Sequence, residues 1–312
     1  MLRTLRIFFI SVSFLIVLFI LPECGQKPEH SGSLKICFVG DLLLDRGVRN
    51  QINKRGVAAL FNKVKPLFVK ADAVVANLEC PVTKVLSPVN KKYIFRAEPE
   101  WLKEVKNCGI THLVMANNHT YDQGRNGIKE TYTNLIENNL IPIGYGTNQN
   151  DACKPILIEK EGIKVAIFSS VLLTLENWAY LPDSVGICQA TIEDLKSKIR
   201  EFKTINNDYK VIVFLHWGAE FQETPLPEQR QQAEELIDAG ADGIIGCHPH
   251  VIQPKQVYKG KPIFYSIGNF VFDQKYEAAT KGLMVELTFS NSKGTFSVQP
   301  ISIQNCIPYP IN

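Results

Sequence analysis

With 312 residues, 45% of them hydrophobic, the chain has enough apolar material for one large α/β domain or two small ones, and disorder is not its default state. Its 34 basic and 31 acidic residues leave a net charge of only +3, and no Lys/Arg block is long enough for a nucleic-acid footprint. Nucleic acid is therefore set aside as a partner, while a nucleotide-sized substrate stays open.

The first informative segment is the N-terminus. Arg3 and Arg6 precede an uncharged apolar run from Ile7 to Leu21, the pattern of a secretory signal. The run falls short of the ~20 apolar residues of a full membrane span, which favours a signal peptide over a permanent anchor. Cys24 adds a lipoprotein reading, although Pro22 and Glu23 stand where small residues normally precede a lipidated Cys. Every version predicts an exported chain, held at the outer face of the cytoplasmic membrane or carried as an envelope lipoprotein. The expected partition is a signal or anchor over 1–24, a polar tether over 25–33 and a single domain over 34–312. The 8 cysteines are widely spaced with no CxxC pair, and several lie in or beside apolar runs, so buried free thiols are expected and a zinc–thiolate site is not.

From Leu34 onward, short apolar runs alternate with helical patterns, the signature of βα units around a largely parallel sheet. The runs Ile36–Val39, Ala73–Ala76, Leu113–Ala116, Val165–Phe168, Val211–Leu215 and Gly243–Ile245 are nearly continuously apolar, as strands covered on both faces are. Thr191 and Asp194 predict a capping box, followed by Ile192, Leu195, Ile199 and Phe202 on one helix face. Pro227 opens another helix, which Gly240 closes. After Pro262, the segments Ile263–Ser266, Gly282–Ser290 and Gly294–Ile303 predict antiparallel strands, with a hairpin turn at Asn291-Ser292-Lys293.

Five of the apolar runs end in residues that bind metals or move protons. They lead into Gly40-Asp41, Asn77-Leu78-Glu79, Asn117-Asn118-His119, His216-Trp217-Gly218 and Gly246-Cys247-His248-Pro249-His250. Ligands of open α/β sheets bind just beyond the carboxyl ends of the strands, so parallel strands would bring these loops to one edge. Each residue alone has a structural alternative: a cap or turn for Asp41, turn conformations for Asn117 and Asn118, a satisfied core position for a single His. Their joint placement is hard to reach by coincidence. His112, which begins a strand, is read as structural. His248 and His250 can turn toward one ion only if the backbone bends, and Pro249 helps to fix that bend. Imidazoles with a carboxylate and an amide oxygen suit zinc, iron or manganese better than calcium.

These segments resemble the CapA family of bacterial capsule (poly-γ-glutamate) synthesis proteins, within the calcineurin-like metallophosphatase superfamily. The resemblance rests on Val39-Gly40-Asp41 with Leu44-Asp45-Arg46-Gly47, Ala76-Asn77-Leu78-Glu79, and Ala116-Asn117-Asn118-His119 with Asp122 and Gly124. It continues through His216-Trp217-Gly218 with Glu220, His248-Pro249-His250-Val251-Ile252-Gln253, and Ser266-Ile267-Gly268-Asn269-Phe270. It implies an α/β fold of four αββα layers, two mixed sheets flanked by helices, with one or two divalent metals (Mn, Fe or Zn) at the strand C-terminal ends. By the same resemblance, Asp41, Glu79, Asn118, His216, His248 and His250 are expected as metal ligands, and His119 with Asp122 as the catalytic pair. Arg46, Glu220 and Asn269 are expected to contact substrate, and Asp45, Asp122 or Glu220 to complete or support the ligand set. The chain departs from the superfamily pattern at Leu43, Asn117 and Thr120, so the metal count stays open. The implied function is a metal-dependent hydrolase or transferase acting in envelope polymer synthesis, anchoring or export. The alternative is a non-catalytic component that binds metal or polymer, and an extracellular nucleotidase ranks last. The implied partner is an anionic envelope polymer or its membrane synthesis and export machinery.

Overall fold

A computed structural model describes residues 32–290 and 293–311. The expected signal or anchor, Cys24 and most of the expected tether lie outside these residues. In chain order the first elements are β1 (Leu34–Leu42), α1 (Arg46–Arg55), α2 (Lys65–Phe68), β2 (Ala73–Leu78), α3 (Leu102–Asn107), β3 (His112–Val114), α4 (Gly124–Glu137) and β4 (Ile141–Ile143). The middle of the chain forms β5 (Tyr145–Gly146), α5 (Gln149–Ala152), β6 (Ile156–Lys160), β7 (Ile163–Val171), β8 (Gly186–Ile187), α6 (Ile192–Ile205) and β9 (Lys210–His216). It ends with α7 (Pro227–Asp238), β10 (Gly243–Cys247), β11 (Lys255–Tyr258), β12 (Lys261–Phe264), β13 (Asn269–Val271), β14 (Lys281–Phe289), β15 (Gly294–Gln304) and β16 (Ile307–Pro310).

Two mixed sheets carry the fold. The first has the order β16-β15-β14-β1-β2-β3-β4, with β13 added on β1, and the second has the order β11-β12-β10-β9-β7-β6. Strands β1 to β4 run parallel, as do β7, β9, β10 and β12, while antiparallel strands finish each sheet. The layering follows from alternation along β1, because successive side chains point to opposite faces. Leu34, Ile36 and Phe38 enter a core shared with β7, β9 and β10, whereas Cys37 and Val39 enter a second core with α1, α3 and α4. Phe38 meets Phe214 of the second sheet at 6.3 Å between ring centroids. The outer face of that sheet is closed by Leu195 and Ile199 of α6 and by Ala233 and Leu236 of α7. The result is the four-layer αββα sandwich, and Gly32–Asn312 separates as one compact unit. Among the described residues no helix is long and apolar enough to cross a membrane.

All six apolar runs are strands, Thr191 and Asp194 form the capping box, and Pro227 opens α7. Three readings change. The apolar runs, which by themselves suggest one largely parallel sheet, divide between the two sheets that the family resemblance implies, because a run covered on both faces has the same sequence whichever sheet holds it. The strand at Ile263–Phe264 pairs in parallel with β10, not only antiparallel with β11. Cys153 and Cys188 form a disulfide between the end of α5 and the segment after β8, where free thiols were expected, while Cys37, Cys80, Cys108 and Cys247 are buried and free. The β14–β15 turn closes through Ser290 N donating to Lys293 O, with Asn291 and Ser292 outside the described residues.

Candidate metal centre

The parallel strands of both sheets finish at the same end of the sandwich. Gly40 lets β1 reach that end: a Cβ there would lie 1.8 Å from Gly268 O, so only glycine permits the crossing of β13 against β1. The register shift between Val39 and Asp41 then sets Asp41 opposite Asn77. Asn77 near the end of β2 and Glu79 just past it turn to the same side. His216 ends β9, and His248 and His250 follow β10 with φ values of 99° and 58°. Two non-glycine residues in the left-handed region flanking Pro249 supply the expected bend and store strain where side chains are being aimed.

Asp41, Asn77, Glu79 and His216 are fully buried, and His248 and His250 nearly so. Ligand atoms of Asp41, Glu79 and His216 lie within 4.8 Å of one another, and so do those of Glu220, His248 and His250. The two groups touch: His250 Nδ1 is 3.2 Å from Asp41 Oδ2, and its Nε2 is 3.4 Å from Glu79 Oε1. Asn77 sits between them, its Nδ2 donating to Asp41 Oδ1 at 2.8 Å and Glu79 Oε2 at 3.1 Å and facing His216 Nδ1 at 3.3 Å. His216 Nε2 donates to Asn118 Oδ1 at 2.9 Å, which places Asn118 in the cluster. Glu79 Oε1 and His248 Nδ1 are buried with no hydrogen-bond partner. Buried polar atoms are nearly always satisfied, so two such unpartnered atoms facing one cluster fit a bound cation.

The electrostatics have the same character. Burial alone would raise the Asp41 pKa, but the hydrogen bond and charge of His250, with His216 behind, hold it below the carboxylate range. Glu79 is pushed well above that range by burial and then by the charge of Asp41. Burial, with a neighbouring imidazole in each case, drives His216 well down and His248 to about 3. His250 is the exception: burial lowers it, but Asp41 raises it further. Carboxyl groups and imidazoles packed against one another in burial, with Glu79 Oε1 and His248 Nδ1 left without partners, form a donor set suited to a divalent ion.

Beside this cluster stands His119. Its Nδ1 donates to Asp122 Oδ2 at 2.8 Å, because an ionised carboxylate only accepts, and its ring stacks on Phe95 at 4.2 Å. Burial lowers the His119 pKa against the opposing pull of Asp122. Asp122 is fully buried and also accepts from Phe95 N and from Lys91 Nζ at 2.9 Å. Lys91 Nζ in turn donates to Asn118 O at 2.7 Å. Asn117 builds the turn, its Oδ1 accepting from His119 N and Thr120 N and its Nδ2 donating to Asn77 Oδ1 and Leu78 O.

The expected substrate contacts divide. Arg46 lines a cleft of about 460 Å³ with Glu79, Phe95, His119, Glu220 and Phe272, its guanidinium held by Asp273 and stacked near Phe95 and Phe272. Glu220 lines the same cleft, but its carboxylate belongs with His248 and His250. Asn269 differs from expectation: it is 1% exposed, its Oδ1 accepts from His250 Nδ1 at 3.0 Å, and its Nδ2 is spent on His250 O and Ala279 O. It therefore orients a ring and does not open into the cleft. Asp45 caps α1 and pairs with Arg49, away from the cluster. Leu43 is fully buried. Sequence reasoning missed Asn77 and Lys91 as site residues. The i, i+2 spacing of Asn77 and Glu79 at a strand end is the signal for the first; Lys91, beside Lys92 in an irregular stretch, carries none.

A sandwich with ligand-bearing strand ends is the metallophosphatase-like class of fold, and solved structures share it at low sequence identity. A hypothetical protein from Thermus thermophilus aligns with a TM-score of 0.55 at 14% identity, covering 89% of this chain and all of that one. The NAD nucleotidase NadN of Haemophilus influenzae also reaches 0.55, at 12% identity over 90% of this chain and 54% of that one. Residues 35–274 match the bacterial capsule synthesis protein PGA_cap model, and the chain belongs to that family. It is 36% identical to the PGA biosynthesis protein CapA of Bacillus subtilis over 91% of this chain and 76% of that protein. It is 33% identical to the capsule biosynthesis protein CapA of Bacillus anthracis, over 91% and 71%.

Proposed function

We propose that this chain is an exported, membrane-tethered component of capsule or poly-γ-glutamate-type polymer synthesis, whose strand-end centre holds one or two divalent ions and cleaves or transfers bonds of that polymer. The relatives named for capsule and PGA biosynthesis support the pathway. The Cys153–Cys188 disulfide supports export, because such bonds persist in oxidising compartments. The observation that carries the chemistry is the pair of buried atoms without partners, Glu79 Oε1 and His248 Nδ1, inside a cluster of carboxyl groups and imidazoles.

Asp41, Glu79, Asn118, His216, His248 and His250 are the proposed ligands of Mn, Fe or Zn, with Glu220 beside the last two. When bound, such an ion lowers the pKa of a coordinated water and polarises a phosphoryl or carbonyl oxygen. The chain's own groups do the rest. Asp122 fixes the His119 proton on Nδ1, which leaves Nε2 to accept or return a proton at the cleft. Lys91 offsets the charge of Asp122 and holds the Asn118 carbonyl, and Asn269 fixes the His250 ring. Arg46 marks the wall against which substrate lies. A non-catalytic metal- or polymer-binding role is the second reading, favoured by the buried Leu43 where the superfamily pattern has a His.

The test is metal content of the purified full chain, followed by hydrolysis of a phosphodiester and a γ-glutamyl amide. Stoichiometric metal is expected, with turnover reduced about 100-fold in His119→Asn while metal is retained. Stoichiometric metal with no turnover of either substrate class would establish the binding role. Failure to bind any of Mn, Fe or Zn in excess ion would overturn the centre itself.

A further inference from the structure

The cleft at Arg46 does not end at the candidate centre. It shares Tyr93, His119 and Glu220 with a second cleft of about 220 Å³, which runs past Lys91 and Tyr121 to Leu173 and Thr174. Leu173 and Thr174 also line a third and larger cleft, of about 910 Å³, bounded by Trp217, Gly218 and the first turns of α6 and α7. The three form one path across the finishing ends of the strands, with His119 and Glu220 part-way along it. A site built for a terminal group would be closed on one side, whereas clefts flank His119 and Glu220 on both.

Lining chemistry indicates what the path would grip. Glu79 and Glu220 belong to the centre, Glu176 and Glu228 have no ion pair among the described residues, and the other charged residues are spent within the protein: Arg46 on Asp273, Lys91 on Asp122, Glu193 on Lys196 and Asp194 on the Thr191 cap. Gln229, in the third cleft, is not. It is 3% exposed; its Oε1 accepts from Leu226 N at 3.0 Å, while its Nε2 is buried with no partner. Gly218 at φ +87° leaves the room this amide occupies, since a Cβ there would lie 2.7 Å from Nε2. This donor, buried against a glycine of the groove wall, is unpartnered among the described residues, which buried polar atoms rarely are.

We infer that the groove takes an internal segment of a linear polymer, threaded across His119, with a backbone carbonyl of the chain accepting from Gln229 Nε2 on the far side of the centre. This rests on the polymer reading above and adds where along its length the chain is held. Repeating amide carbonyls, and not free ends or side-chain carboxylates, are what such a groove recognises.

The experiment measures binding of end-labelled γ-glutamyl oligomers to the full chain loaded with Mn, comparing dimers with chains several times longer, each with free and with capped termini. Long chains are expected to bind at least about tenfold tighter than dimers, and capping is expected to change nothing. Gln229→Glu keeps the acceptor for Leu226 N and removes the donor, and Gln229→Met removes the donor without adding charge. Both variants should weaken long-chain binding about fivefold, the worth of one hydrogen bond, and leave dimer binding unchanged. Equal affinity for all lengths, or loss of binding on capping, overturns the threading inference alone. Absence of binding at every length by a protein that holds its metal overturns the inference together with the polymer reading.

Discussion

The two ends of the parallel strands use the same residue types in opposite ways. Where the strands begin, Lys35 faces Glu286 at 3.8 Å, Lys160 faces Asp72 at 2.7 Å and Lys164 faces Asp208 at 3.0 Å, all of them partly open to solvent. Where the strands finish, the side chains of Asp41, Glu79, His216, Asp122 and Lys91 are buried, two buried polar atoms lack partners, and two histidines have left-handed backbones. At the first end each charge is answered locally and water shares the load. At the second, polar groups are buried in excess of what they can satisfy among themselves. A fold that needed only stability would not build the second end, so the contrast separates residues retained for chemistry from residues retained for solubility.

The contrast is broken most severely at Lys91. Its side chain is 5% exposed against a fully buried Asp122, so Lys91→Met leaves a buried carboxylate with His119 and one backbone amide. Removing one partner of a buried pair costs about 4 kcal/mol, here read as a fall in the denaturant midpoint. Adding Asp122→Asn to Lys91→Met should recover much of that loss, because the stranded charge goes with it. Equal instability of the single and double variants would show that Lys91 acts through packing on Tyr121, which its ammonium overlies at 4.7 Å.

A buried histidine outside the centre sharpens the comparison from the other side. His112, in β3, hydrogen-bonds Thr111 Oγ1 at 2.7 Å, and burial lowers its pKa from 6.5 to about 4, with Lys106 adding to the shift. The unfolded chain therefore binds the proton first as pH falls. The stability that neutral His112 contributes is full above about pH 6.5 and is lost on the way down to pH 4. At pH 4 the loss amounts to about 3 kcal/mol. His112→Gln should lack that part of the acid slope, seen as converging denaturation midpoints of the two proteins between pH 7 and pH 4. Parallel curves would mean that His112 titrates normally in the folded protein.

How far the sequence foretold this depended on which physical signal each feature leaves. Strands such as Val211–Leu215 were legible because burial on both faces forces a continuous apolar run, and the polar residues that end them stood out against it. The helix at Thr191 was legible because a capping box is local. The split into two sheets was not, since strand order leaves no mark on periodicity and came only through family resemblance. Asn77 could have been found by its alternation with Glu79. Lys91 could not: an ammonium that folds back onto Asp122 reads the same as its solvated neighbour Lys92. Cys153 and Cys188 paired because α5 and the segment after β8 are brought together by the tertiary fold, which spacing does not encode.

The smallest effect lies where the strands begin. Lys35 is about one-third exposed and meets Glu286 at the long distance of 3.8 Å, a pair whose Coulomb gain is screened by water and offset by side-chain entropy. Lys35→Gln keeps the length of the side chain and the backbone N–H that donates to Asp72 Oδ2 at 2.8 Å. Less than about 1 kcal/mol should be lost at low salt, and the difference should vanish at high ionic strength, where the Debye length shrinks to about 3 Å at 1 M. Thermal melts at both salt concentrations check this. A loss comparable to that of Lys91→Met, persisting at high salt, would mean that the starting end is as tightly coupled as the finishing end, and burial would no longer distinguish them.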